Sequence, residues 1–587
     1  MESSFLRTVP GALEYAARRT GAGFTFVADD GTEEEWSFER LLDRATEIGG
    51  ELQARGMKPG DRVALILPTP REFIPTFLGV SRGGGVPVPL YPPIGLGQLG
   101  GYLDHARHIV TASRASFVVT NGQIKTVLGK LHDYAPELRT MITAAEIEGA
   151  GSKFQEPKLG LDDVAFLQFT SGSTSAPKGV IVTHENLAEN SYAVMREGLN
   201  SDEQDRGLSW LPLFHDMGLI GFVIAPISHR VPVSFLSPIM FLKRPASWLE
   251  YLSKHRATIT YGPNFSYALT TKRVRERDLA GLDLSAVRVA GCGAEPVQAG
   301  TLRAFADRFS AIGFREEAFV PSYGMAEHTL AIAFSQGVPT DRVDAEKLWT
   351  DGEAVAPSDD ESETIEIVGC GKAFDGHRIR IVDTATREPL PERRVGEIQL
   401  VGPSVMPGYF ENPKKSEETL ENGWLNTGDL GYLADKQIFI CGRAKDVIIV
   451  NGKNYYPQDL EWAAGGVEGV RTGNAIAFAA HREGLGREGV VVVAETRETE
   501  GLSEISDRVK KAVYEATGLM VDEVALIEAG ALPKTSSGKV QRSKARERFE
   551  AGTLRRESDD GAAKIAGRVV QSQLAHLRLR IFGRGKK

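Results

Sequence analysis

Cysteine is scarce in this chain. Its three cysteines, Cys292, Cys370 and Cys441, are odd in number, far apart and without CxxC or Cys/His spacing. That argues against a disulfide framework and a structural zinc, and a reducing, cytoplasmic setting is expected. A basic excess is missing too. Lys and Arg number 69 against 78 Asp and Glu, a formal charge of −9. The chain therefore lacks the overall field that neutralises phosphates, and nucleic acid drops out as the main partner. Long apolar runs are also absent. The greasiest stretch, Leu208 to Leu242, is broken by His215, Asp216, His229 and Arg230, short of the ~20 residues a spanning helix needs. The N-terminal MESSFLRTVPGALEYAARR carries an acid at Glu2 and no basic-then-apolar layout, which argues against a secretory signal.

What is present is core-forming material, 42% apolar residues, enough for several domains. From Asp61 to about Phe334, short β-branched runs such as RVALILP and SFVVT alternate with helical patterns. Such alternation predicts a doubly wound α/β domain of parallel strands joined by crossover helices. Between Asp351 and Glu366 the chain carries seven acids and no base, which reads as a solvated loop or insertion. Beyond it HRIRIVD, GEIQLVG and QIFICGR predict a small β subdomain. After GRAKD the pattern changes again: VVVVAE and an amphipathic helix from about Ile505 to Thr517 predict a separate α+β unit.

Between two strand-like runs lies TSGSTSAPKG (Thr170 to Gly179), a hydroxyl-rich turn with one lysine. Its free N–H groups and hydroxyls suit it to wrap an oxygen-rich anion. It is not the nucleotide loop that ends Gly-Lys-Ser/Thr, because Gly179 follows Lys178. The chain also contains LPLFHDMGLIG (Leu211 to Gly221), GCGAEPV (Gly291 to Val297), SYGMAE (Ser322 to Glu327) and NTGDLGY (Asn426 to Tyr432). GRAKDVIIVNGKNYYP (Gly442 to Pro457) and LPKTSSGKVQR (Leu532 to Arg542) complete the set.

In this order the segments resemble the adenylate-forming superfamily of acyl- and aryl-acid ligases, peptide-synthetase adenylation domains and luciferases. SGSTSAPKG, LPLFHDMGL, YGPNFSYAL and KNYYPQDLE are most similar to its fatty acyl-AMP ligases. The resemblance implies a large N-terminal adenylation domain (1–442) with doubly wound sheets, a small β subdomain and an acid-rich insertion at about 344–366. It further implies a hinge at 443–446, a mobile catalytic-lysine domain at 447–555 and, outside the family pattern, a tail at 556–587. The insertion is expected to hinder the swing of the small domain toward a CoA-using pose. The implied reaction converts a fatty acid and ATP, with Mg2+, to acyl-AMP and pyrophosphate. The acyl group then passes to an acyl carrier protein or to a polyketide or peptide synthase carrier domain.

The resemblance also assigns residues. Lys539 is expected to donate to the phosphate oxygens on which charge builds, and Glu327 to hold the metal with the Thr174 hydroxyl nearby. Thr170, Ser171, Gly172, Ser173, Thr174 and Lys178 form the phosphate turn. The backbone of Gly293, Ala294 and Glu295 is expected along adenine, with Ser322, Tyr323, Gly324, Met325 and Ala326 against the nucleotide and Tyr323 stacking on the base. Asp429, in a turn, is expected to accept from both ribose hydroxyls; Arg443 holds the ribose or phosphate edge, and Lys445 sits at the hinge. His215 is expected near the substrate carboxylate for orientation or charge balance. Adjacent side chains on a helix do not face each other, so a His215/Asp216 relay is not expected.

The alternative reading is a long- or medium-chain fatty acyl-CoA synthetase. Many of those place a lysine where Ile449 stands here. A non-catalytic acyl-nucleotide binder is disfavoured by the presence of Lys539, Glu327 and Asp429 together. The tail from Ala562 to Lys587 has seven Lys/Arg and no acid. On a helical wheel it offers a basic amphipathic face, suited to peripheral membrane contact or to an acidic carrier protein.

Overall fold

The computed structural model describes residues 7–93, 99–129, 131, 135–147, 152–170, 177–358, 362–450, 452–481, 488–535 and 539–554. The tail expected at 556–587 lies outside them. The chain divides into two compact units, Met1–Tyr456 with Thr535–Lys539, and Pro457–Lys534 with Val540–Lys587.

In the first unit a nine-stranded sheet has a parallel centre. Phe319–Gly324, Val289–Cys292, Ile259–Gly262, Gly207–Ser209, Val233–Phe235 and Gly23–Val27 pair in that order. Antiparallel strands close both ends, Ala331–Phe334 with Lys372–Ala373 on one side and Glu33–Ser37 on the other. A second, all-parallel sheet joins Val86–Pro89, Arg62–Ile66, Phe117–Thr120 and Thr140–Thr143. Strands such as Phe117–Thr120 and Ile259–Gly262 are buried along their whole length, as parallel strands covered by helices on both faces must be. The VPVP strand takes the sheet edge, where its two prolines cost no ladder bonds. The α/β expectation therefore holds.

A five-stranded antiparallel sheet follows, built on Arg378–Val382, Gly396–Val401, Trp424–Ala434 and Gln437–Arg443, with Leu420–Glu421 beside them. Within the second unit Val470–His481, Glu488–Thr496 and Glu523–Glu528 form one sheet, packed by the helix Leu502–Thr517. That helix is the one expected at 505–517, and it buries Ile505, Val509 and Val513.

Between Asp351 and Glu366 the described residues are largely loop, as the composition predicts, and regular structure frames them on both sides. Thr340–Asp344 and Thr364–Val368 pair as antiparallel strands, and the helix Ala345–Asp351 buries Trp349. Basic partners come from elsewhere in the chain: Arg393 reaches Asp341 at 3.0 Å, Arg303 reaches Glu366 at 2.9 Å, and Arg394 pairs with Glu353. A local count of charge cannot see them.

Candidate active site

The strands on either side of the phosphate turn form an antiparallel hairpin. Val164–Thr170 pairs with Lys178–Thr183, and Thr170 stands opposite Lys178. Ser171, Gly172, Ser173 and Thr174 lie outside the described residues. Burial, with Lys415 nearby, draws the Lys178 ammonium below its ordinary value. That ammonium sits 5.5 Å from the centre of the Tyr409 ring, within the range of a cation–π contact.

Tyr409 leads to Glu327. The glutamate occupies the connection between the strands Phe319–Gly324 and Ala331–Phe334, inside a single turn of 3-10 helix at Ala326–His328. Its carboxylate accepts the Tyr409 hydroxyl at 2.8 Å. Burial pushes it above the usual carboxylate range. Among the described residues no cationic side chain forms an ion pair with it, and no group of three or more His, Cys, Asp or Glu is placed to hold a metal. One buried hard-oxygen donor suits magnesium, which takes one or two carboxylates and completes its shell with phosphate oxygens and water.

Asp429 stands on the strand Trp424–Ala434, where a turn was expected, just before the irregularity between Leu430 and Gly431. The neighbouring Gly428 at φ 70 supplies the turn-like backbone that its sequence signals. The Asp429 carboxylate is held from two sides, by the Tyr323 hydroxyl at 2.9 Å and Arg443 Nε at 2.9 Å. Its own N–H donates to Thr427 Oγ1 at 3.0 Å. Arg443 faces Asp429 across the strand pair, and that charge raises the guanidinium further. Lys445 lies in the next turn, Ala444–Asp446, lowered by burial and by Arg443.

His215 corrects the sequence reading. It is the N-cap of the helix Asp216–Leu219 with φ −105 and ψ 141, so its side chain does not follow helical spacing. Nδ1 approaches Asp216 Oδ1 to 2.6 Å, the contact that the helical argument had set aside. Asp216 also accepts the Met217 N–H at 2.7 Å. Burial works to raise the Asp216 carboxyl, yet His215 and Lys539 outweigh it and hold it below its ordinary value. Lys539 shares the first unit. Its backbone exchanges bonds with Thr535, Lys539 N to Oγ1 at 3.1 Å and Thr535 N to Lys539 O at 2.7 Å. Burial lowers the ammonium, with Asp216 and Glu295 opposing.

Gly293, Ala294 and Glu295 follow the strand Val289–Cys292, and Ala294 is left-handed at φ 68. A Cβ on Gly291 would fall 1.9 Å from the Tyr261 ring, and one on Gly293 3.0 Å from the Ser322 carbonyl oxygen. This close approach brings the Gly293 backbone beside the Ser322 strand end. Glu295 accepts the Phe265 N–H at 2.6 Å, at the start of the helix Asn264–Arg273. Ser322 Oγ turns back to the Val320 carbonyl at 2.8 Å, and the Tyr323 ring is buried. Met325 leads extended into the Ala326 turn, at φ −159 and ψ 159.

The structure thus gathers Glu327, Lys178, Asp429, Arg443, Tyr323, His215 and Lys539 into one electrostatic neighbourhood, since Arg443 and Asp216 act on Glu327 as well as on Lys539. Sequence reasoning missed Tyr409 and Asp216 as members. The only local signal was the HisAsp pair, read with the wrong backbone.

Comparison with known proteins gives the following. A family described as AMP-binding enzyme matches residues 13–410, and a Disco-interacting protein 2-like AMP domain matches residues 445–559. A Caulobacter vibrioides protein, described only provisionally as an acyl-CoA synthetase, is 37% identical and aligns over 93% of this chain and 96% of its own. The medium-chain-fatty-acid–[acyl-carrier-protein] ligase JamA of Moorena producens is 35% identical over 88% of this chain and 90% of its own. The long-chain-fatty-acid–AMP ligase FadD26 of Mycobacterium marinum is 32% identical over 94% of this chain and 98% of its own. Among solved structures, one from a study of the fatty acyl-adenylate ligases of E. coli and L. pneumophila superposes with TM-score 0.86 at 35% identity, covering 93% and 98% of the two chains.

Proposed function

The chain belongs to the AMP-binding enzyme family, as a fatty acyl-AMP ligase, and from that premise we propose how its residues carry out the reaction. A fatty carboxylate oxygen attacks the α-phosphorus of ATP, the bond to the bridging oxygen breaks, and pyrophosphate leaves. The carboxylate is ionised near neutral pH and needs no base. A carrier-protein thiol then attacks the acyl carbonyl and AMP departs. The observation that carries this reading is the full-length likeness to fatty acyl-adenylate ligases, joined to the gathering of Glu327, Asp429 and Lys539 about one site.

In this reading Asp429 takes the ribose hydroxyls, with Tyr323 and Arg443 fixing its two oxygens. Lys178 and Lys539 aim positive charge at phosphate oxygens, and preorganised donors of that kind stabilise charge as it develops. Glu327 is the residue that would hold a magnesium ion carried with ATP, which when bound would neutralise phosphate charge. Asp216 fixes the His215 ring and balances Lys539. The hinge is proposed at 443–446, between an adenylation domain at 1–442 and a lysine domain at 447–555, although the two compact units divide after Tyr456 and Thr535–Lys539 falls in the first of them. A need for ATP and a phosphopantetheine carrier supports a cytoplasmic setting.

The Caulobacter relative favours one competing reading, an acyl-CoA synthetase. Against it stands Ile449, 66% exposed where many CoA users carry lysine. The test is a panel of fatty acids with ATP and either CoA or a carrier protein, with products resolved by mass. Acyl-AMP and acyl-carrier protein are expected. Acyl-CoA as the dominant product would overturn the carrier assignment.

A further inference from the structure

Resting on the metal role proposed for Glu327, we propose that Thr329 is a positioning residue, whose strained turn and hydroxyl set the bearing of the Glu327 carboxylate toward the cation that accompanies ATP. Thr329 sits at φ 65 and ψ −66, and the Leu330 N–H closes back on the His328 carbonyl at 2.7 Å. That is a γ-turn of the positive-φ kind, rare for any residue and strained for a β-branched one. Thr329 is 1% exposed, so solvent does not impose the turn. Strain of this kind persists only where surrounding contacts over-determine it, and it clusters at functional sites.

The contacts that impose it converge on the segment 404–409. Thr329 Oγ1 donates to the Ser404 carbonyl at 2.7 Å, and Met406 N donates to the Glu327 carbonyl at 2.9 Å. Tyr409 of the same segment gives its hydroxyl to the Glu327 carboxylate. Ser404 is held in turn: its Oγ lies 3.0 Å from Asn190 Nδ2 and 2.8 Å from His377 Nε2. Asn190 also grips Ala331 through both its carbonyl, at 2.8 Å, and its N–H, at 3.3 Å. On the other side the turn closes over Gly324, where a Cβ would fall 1.9 Å from the Leu330 carbonyl oxygen. Glu327 therefore stands between two anchored points, the hairpin strand and the 404–409 segment. Magnesium demands near-ideal octahedral geometry, so a lone carboxylate ligand is useful only if its direction is fixed.

The experiment uses the full-length protein and Mn2+ as the metal probe. Binding is followed by electron paramagnetic resonance in the presence of α,β-methylene-ATP. Thr329→Val keeps the shape and removes the hydroxyl, Thr329→Ser keeps the hydroxyl, and Thr329→Gly removes both strain and hydroxyl while easing folding. Thr329→Val and Thr329→Gly are expected to weaken Mn2+ binding about tenfold or more, the scale on which loss of a partner that orients a metal ligand acts. Fatty-acid KM should stay unchanged, and Thr329→Ser should restore metal binding. A folded Thr329→Gly that binds Mn2+ as the parent does overturns the proposal, whether or not Thr329→Val folds. Glu327→Gln separates the two levels. If it too leaves Mn2+ binding intact, the metal role of Glu327 fails; if it weakens binding while Thr329→Gly does not, only the Thr329 role fails.

Discussion

Replacing Asp429 by asparagine removes one charge from a carboxylate that is 7% exposed and already gripped on both oxygens. The amide keeps the shape but offers one acceptor in place of two, and Arg443 and Tyr323 compete with the nucleotide for it. Hydrogen bonds to a charged acceptor contribute about 1.5–3 kcal/mol each, so losing two ribose bonds at the low end costs ~3 kcal/mol. That corresponds to ~10²-fold in ATP affinity. The loss of the Arg443 pair adds little, because the Arg443 side chain is 51% exposed and screened by water. Calorimetric titration with α,β-methylene-ATP should therefore show Kd rising ~10²-fold in Asp429→Asn, while kcat for pyrophosphate release at saturating ATP falls much less. Thermal unfolding serves as the control for folding. An ATP affinity within about threefold of the parent, less than one hydrogen bond's worth, refutes the ribose role in a variant that folds normally.

Three further outcomes are expected. Lys539→Ala should cut the rate of acyl-AMP formation by ~10² to 10³, the cost of one preorganised donor, with ATP affinity nearly kept; an unchanged single-turnover rate would remove Lys539 from catalysis. Lys453 pairs with Glu346, and Tyr455 packs its ring 5.1 Å from Trp349, so the helix Ala345–Asp351 grips the hairpin just past the proposed hinge. Lys453→Ala removes a pair worth up to ~1 kcal/mol and should raise acyl-CoA output by at most about fivefold; an unchanged acyl-CoA to acyl-AMP ratio counts against restraint. Burial lowers His184 to about 4 and His328 to about 3. An unfolded histidine near 6.5 thus binds a proton that the native one refuses. Native stability therefore drops as pH falls below about 6.5, by ~1.4 kcal/mol per pH unit for each such residue. Asp459, pushed by burial to about 7, acts in the opposite direction. Comparing denaturant midpoints of His184→Asn and parent from pH 7 to 5 isolates one histidine, and parallel curves would refute the assignment.

Legibility in the sequence followed the range of the forces involved. Strand periodicity, the amphipathic helix at 502–517 and the hairpin around Lys178 are set by neighbours along the chain, and each was readable there. The site residues were readable only through family likeness, because their meeting depends on the sheets. Nothing near Glu327 announces Tyr409, 82 residues away. The His215/Asp216 contact was misjudged because an N-cap residue has extended backbone, and helical spacing does not apply to it. Asp429 read as a turn residue because Gly428 and the irregularity after it give a strand the composition of a turn. The acidic stretch read as a loop and is largely one, but the arginines that neutralise Glu366 and Glu353 stand before and after it, at 303 and 394, where a local count of charge does not reach.

The three cysteines have a practical consequence. All three are buried, which hides them from a maleimide, and burial pushes the Cys370 thiol to about 12 and the Cys292 thiol well above its ordinary value, so at neutral pH those two offer scarcely any thiolate. The native chain is in effect dark to thiol chemistry. One cysteine introduced at Ile449, 66% exposed, or at Met520, 72% exposed, becomes a unique attachment point for a dye or spin label. Distances between two such labels can then be followed through the catalytic cycle without first stripping the protein of its own sulfur.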